Sequence, residues 1–249
     1  MNNSISSIPF GDYSIYNGNL RDLSLVDKTL INTINQYSYC IGETDAAFKN
    51  ALQGSDILLP DGMAIVAAVG LLEGKKIRKI AGADFHQFLL EDLNQKGGTC
   101  FYLGSSQDTL QKITARLAIE FPHVKVQSFS PAYTAEFSTL ENTQMVAAVN
   151  SFQPDVLFIG MTAPKQEKWA FAHKEQLDAT IICSIGAVFD FYAGTIVRPN
   201  AFWIKLRLEW FIRLLKEPKR MWKRYLYYGP VFIKLILKEK LKRIFKSKY

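Results

Sequence analysis

Short runs of β-branched and aromatic residues alternate along the first four-fifths of the chain with longer segments of helical period. Strands are predicted over residues 30–34, 56–59, 99–103, 124–129, 155–159 and 180–184. Helices are predicted over 62–72, 84–94, 106–121, 139–152 and 164–176. Strand followed by helix, repeated this way, is the pattern of a mostly parallel sheet covered by helices on its faces. Several strands run into a turn rich in Gly, Ser or Asp just before a helix: Leu59-Pro60-Asp61-Gly62, Leu103-Gly104-Ser105-Ser106 and Ile159-Gly160-Met161-Thr162. In such a Rossmann-like sheet ligands gather at these carboxyl ends, where helix N-termini offer free N–H groups to anions.

After Gly194 the pattern changes. Residues 202–216 are aromatic and cationic, Glu217-Pro218 interrupts them, and 219–228 reads as a second basic, aromatic helix. Gly229-Pro230 is expected to break the chain again before a final helix over 231–246. On that helix Ile233, Leu237, Leu241 and Ile244 share one face and Lys234, Lys238, Lys242 and Lys246 another, with Lys240 close to the apolar side. The expected organisation is a core over 1–195 and a basic helical appendage over 196–249.

Charge sharpens this division. The 249 residues carry a net +7, but from Arg198 onward 16 Lys and Arg face three Glu, a net +13, while the remainder stands at −6. A mildly acidic body with a basic tail suits a polyanionic partner: membrane lipid, diphosphate or nucleic acid. The tail's Lys and Arg are interleaved with Trp203, Trp210, Trp222, Tyr225, Tyr227 and Tyr228, a composition fitted to an anionic membrane interface. A basic bundle packed on the core and solvated outside, or a nucleic-acid-binding module, would share that composition.

Other classes lose support. No run approaches the ~18 apolar residues of a spanning helix, and the start of the chain lacks the basic and apolar regions of a secretory signal, so a cytoplasmic location is expected. Cys40, Cys100 and Cys183 are scattered, and His86, His123 and His173 stand apart, so neither a disulfide nor a zinc site is expected. No Gly-x-Ser-x-Gly, Walker loop, Gly-x-Gly-x-x-Gly or Asp-x-Asp occurs.

Individual residues keep two readings each. Asp61 either faces a cleft or caps the next helix. Thr33 and Asn35 point to one side of their strand and either meet a ligand or hold a neighbouring loop. Gly104-Ser105-Ser106 resembles a small phosphate-cradling turn, a weak signal alone. Pro164 and Glu167 follow ordinary helix-start grammar, whereas Lys165 and Gln166 are placed to reach a nucleotide or sugar.

Taken in order, Asn32-Thr33-Ile34-Asn35, Leu59-Pro60-Asp61-Gly62-Met63, Ile80-Ala81-Gly82-Ala83-Asp84, Leu103-Gly104-Ser105-Ser106, Ile159 to Glu167, Gly186 to Gly194, Arg198-Pro199 and Leu208 to Pro218 resemble the WecG/TagA/CpsF glycosyltransferases (family 26). The resemblance runs from about residue 29 to about residue 230. It implies inverting, metal-independent and cofactor-free transfer of a hexose such as N-acetylmannosamine from a UDP-sugar to a polyprenyl-diphosphate-linked sugar, in cell-surface polysaccharide or teichoic-acid-type assembly. It implies a peripheral position on the inner membrane face, and self-association off the membrane. Asp61 then matches the family's catalytic base. Thr33, Asn35 and Gln166 match active-site polar residues, with Gly82, Asp84, Gly104, Ser105, Ser106 and Lys165 also on substrate. Arg213, Arg220 and Arg224 fall in the appendage that completes the site and meets the diphosphate. Three departures stand out: only residues 21–28 separate the first apolar segment from the Thr33 strand, where the family usually inserts a helix, Lys79 replaces a common Arg, and Arg198-Pro199-Asn200 replaces Arg-Ala-Pro. The first suggests a reduced first layer, and the second keeps charge while losing bidentate geometry.

Overall fold

The computed structural model describes residues 6–23, 25, 28–197, 199–206 and 208–246, so Arg198 of the Arg-Pro motif and the side chain of Lys246 lie outside the described residues. The chain begins with an antiparallel hairpin that the strand pattern did not predict, β1 (Ser7–Phe10) and β2 (Tyr13–Tyr16), with Ile8 opposite Ile15. Where the family inserts a helix, the described residues hold a 3₁₀ turn, Leu20–Asp22.

The layered body follows as β3 (Thr29–Ile34), α1 (Gln36–Gly42), α2 (Ala46–Gln53), β4 (Ile57–Pro60), α3 (Met63–Glu73), α4 (Gly82–Lys96), β5 (Thr99–Gly104), α5 (Gln107–Glu120), β6 (Lys125–Phe129), α6 (Thr139–Phe152), β7 (Val156–Gly160), α7 (Lys165–His173), β8 (Ile181–Ser184) and α8 (Val188–Tyr192). Among the described residues one six-stranded sheet forms in the order β4-β3-β8-β7-β5-β6, every pair parallel. The parallel α/β reading therefore holds.

Period-two alternation divides the core between the faces of this sheet. Cys100, Tyr102, Val156, Phe158 and Cys183 pack with Phe85, Leu89, Leu110 and Phe189 from α4, α5 and α8. Their neighbours Phe101, Leu103, Leu157, Ile159 and Ile182 pack on the other face with Met145, Val149 and Trp169. The hairpin joins a third cluster, where Phe10 and Ile15 meet Ile34, Leu58, Ile65 and Val69. His86, buried with a ring nitrogen 2.6 Å from the Tyr102 hydroxyl, belongs to this interior and has its pKa pushed down to about 3, by burial first.

The C-terminal region forms α9 (Ala201–Lys205), α10 (Glu209–Lys216), α11 (Pro218–Trp222), a π-wound turn over Lys223–Tyr227 and α12 (Tyr228–Lys246). Glu217-Pro218 separates helices as expected, with Pro at the first position of α11, where its missing N–H costs nothing. Gly229-Pro230 does not: it lies in the first turn of α12, and helix continues through the π turn. A wider i→i+5 turn absorbs a residue that cannot donate to the ladder. The stripe of α12 that packs inward is also a surprise. Phe232 and Ile236 are buried with Tyr39, Cys40 and Phe48, while Ile233, Leu237, Leu241 and Ile244 face outward.

Candidate active site

The carboxyl ends of the strands open into one cleft of about 820 Å³. It is lined by Thr33 and Asn35 at the end of β3, Asp61 just after β4, Gly104 to Ser106 at the end of β5, Gly160 to Ala163 at the end of β7 and Gly186 just after β8. A second chamber of about 530 Å³ lies beside it, walled by Met63, Ile204, Trp210 and Tyr225. Asn35, Tyr37, Asp61, Arg213 and Arg224 line both, so they form the partition between the two spaces. Each volume lies within the range of ligand sites.

Pairing of β3 with β4 places Ile34 beside Pro60, and the Asp61 N–H donates to the Ile34 carbonyl at 2.9 Å. Asn35 and Asp61 thus emerge together at the sheet's end. Gly62, not Asp61, caps α3, and no side-chain cap bond forms there. The capping alternative for Asp61 is thereby removed. Gly62 holds φ +96°, a conformation that suits glycine, and this turn frees the carboxyl to face the partition. Burial raises the Asp61 pKa from 3.8 to about 6, with Glu209 and Asp84 adding to the rise and Lys79 and Arg213 opposing it. Lys79 itself pairs with Glu209 at 2.9 Å, tying α10 to the core.

Asn35 has a structural task and also lines both chambers. Its Oδ1 accepts from the Tyr37 and Ser38 N–H groups at 3.0 Å and caps α1, so what it offers a ligand is its amide N–H₂. Thr33, two residues earlier, faces the larger chamber as the period requires. At the β5 turn a Cβ on Gly104 would stand 2.6 Å from the Gly160 carbonyl, so glycine is needed there. Ser105 takes φ +61° and Ser106 caps α5 through Thr109. Backbone strain of this kind gathers where a turn is shaped for a ligand.

On the opposite wall Lys165 donates to the Thr134 carbonyl at 2.7 Å and sits 3.3 Å above the Phe137 ring, fastening the 130–138 loop over the cleft. Gln166, 4 % exposed, accepts from the Met161 N–H at 3.1 Å and donates to Glu167 at 2.9 Å. Glu167, which sequence grammar assigned to helix capping, is 2 % exposed and lines the larger chamber. Burial first raises its pKa to about 7, against the Gln166 hydrogen bond and the Arg224 charge.

The C-terminal helices and the π-wound turn bring cations to the chamber walls. Arg213 lies over the Phe191 ring at 5.1 Å, and its buried Nε and Nη2 have no hydrogen-bond partner among the described residues. Arg224 lies over Tyr37 at 4.8 Å, whereas Arg220 lines the larger chamber and is held by Glu217 at 2.9 Å and Asp190 at 3.5 Å. Gly82 and Asp84 stand apart from these walls. Gly82 is buried against Val188 and Ile185, and Asp84, exposed in the first turn of α4, reaches the site through its charge on Asp61. Tyr37, Trp210 and Tyr225 line the partition or the second chamber without having been singled out from sequence as ligand contacts. Among the described residues no cluster of three or more His, Cys, Asp or Glu gathers as a metal cage.

The profile of the Glycosyl transferase WecG/TagA/CpsF family matches residues 17–246. A Bacillus subtilis (strain 168) protein is 29 % identical over 219 residues, 88 % of this chain and 83 % of its own length. A Bacillus spizizenii relative is 28 % identical over 192 residues, 77 % of this chain and 72 % of its own. One from Staphylococcus aureus (strain MW2) is 27 % identical over 216 residues, 87 % of this chain and 82 % of its own. All three carry the name N-acetylglucosaminyldiphosphoundecaprenol N-acetyl-beta-D-mannosaminyltransferase.

Proposed function

Because this chain belongs to the WecG/TagA/CpsF family of glycosyl transferases, we propose that it moves a hexose from a UDP-sugar to a polyprenyl-diphosphate-linked acceptor sugar, a step of cell-surface polymer assembly. One observation carries the reading: Asp61, its pKa raised by burial to about 6, stands with Arg213 and Arg224 in the wall shared by two chambers. The names of the relatives, which specify a diphosphoundecaprenol-linked acceptor and an N-acetylmannosaminyl group, support the same choice.

In this reading UDP occupies the larger chamber against the Gly104 to Ser106 turn, and the acceptor sugar occupies the smaller one beside Trp210. The acceptor hydroxyl oxygen attacks the anomeric carbon while its proton passes to Asp61. The bond from that carbon to the diphosphate oxygen breaks, UDP leaves with the electron pair, and the anomeric centre inverts. A positioned base contributes about 10²- to 10⁴-fold. Arg213 and Arg224 meet the charge growing on the departing diphosphate, which a planar guanidinium does with paired hydrogen bonds. Residues 196–249 act as an appendage that supplies these cations and seats the protein on lipid.

UDP at a hundred times its dissociation constant should stabilise the protein by about 2.7 kcal/mol, a melting-temperature rise of roughly 5–10 °C. UDP release from a UDP-sugar should require a polyprenyl-diphosphate-linked N-acetylglucosamine. A rise with an oligonucleotide and none with UDP would favour the nucleic-acid alternative.

Among the described residues no helix is long and apolar enough to cross a membrane. The outward stripe of α12 (Ile233, Leu237, Leu241, Ile244) is flanked by Lys234, Lys238 and Lys242, a surface suited to lying in an anionic lipid interface. Each cation near such a surface adds ~1 kcal/mol. Leu237→Glu with Leu241→Glu should weaken partitioning onto anionic vesicles more than about tenfold while leaving the melting temperature unchanged. Equal partitioning would take the stripe out of this role. Truncation of α12 is a poorer test, since it would also strip Phe232 and Ile236 from the core.

A further inference from the structure

Glu167 is a buried carboxyl that the mechanism above leaves without a task. It occupies the third position of α7, where a negative charge is favoured by the helix N-terminus. Its Oε1 accepts from Gln166 Nε2, and Gln166 is itself fixed by the Met161 N–H, so the carboxyl plane has a set orientation. Its Oε2 is fully buried and has no hydrogen-bond partner among the described residues. Leaving a buried acceptor unmet is costly, and more so for a charged one. The residue lines the larger chamber only, and Arg224 and Tyr37, the charged and titratable groups that act on it or feel it, both stand in the partition. The residue that carries this unmet oxygen therefore lines the side of the wall assigned above to the donor.

We propose that Glu167 is a donor-sugar recognition residue, its Oε2 accepting a hydrogen bond from a hydroxyl or amide N–H of the hexose carried by the nucleotide. The chemistry selects the partner. A carboxylate oxygen is an acceptor only, so it repels the diphosphate and pairs with the donors that ring a hexose. Gln166 is then a positioning residue, holding the carboxyl rather than the ligand.

This rests on the donor reading given above, and the test separates the two. UDP-N-acetylmannosamine serves as the probe, with UDP as the sugar-free control. Glu167→Gln keeps volume and packing but replaces one carboxyl oxygen by an amide N–H₂. It should raise KM for UDP-N-acetylmannosamine about 10- to 100-fold, the range for a hydrogen bond to a charged group, while the inhibition constant of UDP stays within about twofold. A merely structural role would move both together. On the wild-type protein, UDP-sugars lacking one hydroxyl or the acetamido group at a time should include one with a comparable loss, and that loss should not add to the Glu167→Gln effect. The proposal is overturned by an unchanged KM in a folded variant, by parallel losses for UDP and the UDP-sugar, or by a deletion series in which no group matters. Failure of the wild-type protein to bind UDP at all would overturn the donor reading itself.

Discussion

Asp61→Asn is expected to lower kcat about 10²- to 10⁴-fold while leaving UDP affinity nearly unchanged, as single-turnover assays and UDP titration would show. The side chain keeps its size and loses the ability to take a proton. A turn shaped by Gly62, with no capping bond on Asp61, leaves the fold little reason to depend on the charge. The pH profile supplies a second readout. A base works when ionised, and burial holds this carboxyl at about 6. The wild-type kcat/KM, which reports the unliganded enzyme, should thus be flat above that value and fall tenfold per unit well below it. The residual rate of the variant should lack that limb. Undiminished turnover in Asp61→Asn would remove the carboxylate from proton transfer.

Arg213→Ala should cost about 10²- to 10³-fold in kcat, the usual effect of deleting one preorganised donor from a site of developing negative charge. Its Nε and Nη2 are buried without partners among the described residues, and the residue lines both chambers. Arg213→Lys should recover only part of the loss, because an ammonium cannot offer the paired planar bonds. The comparison is Arg220→Ala, whose guanidinium is already engaged by Glu217 and Asp190 and whose loss should be smaller. Equal rates for wild type and Arg213→Ala, with the melting temperature preserved, would place diphosphate stabilisation elsewhere.

The body of the fold was readable because each buried strand alternates inside a parallel sheet and each helix begins on a recognisable turn. The hairpin was harder: Ser7–Phe10 and Tyr13–Tyr16 are four residues each, too short for periodicity, although Phe10-Gly11-Asp12-Tyr13 carries a two-residue turn. Gly229-Pro230 misled because proline is a breaker inside a helix, and only coordinates reveal the π turn that accommodates it. The outward stripe of α12 was visible as an apolar face. Its neighbour Phe232–Ile236 was not separable from it, since a period gives faces but not which one a core will choose. Within the site, Asp61, Thr33, Asn35 and the strand-end turns lie together at one cleft, as strand-end geometry implies. Glu167 escaped because an acid in a first helical turn is so common that its burial carried no sequence mark. Tyr37 and Trp210 escaped because aromatic residues are equally at home in cores and in walls.

The shared partition has an energetic corollary. Any shift of Tyr37 or Arg224 made to welcome one substrate alters the surface that the other substrate meets. With donor and acceptor seated as proposed, such a shift would link the two affinities, and thermodynamic reciprocity requires that each substrate then change the other's binding by one and the same factor.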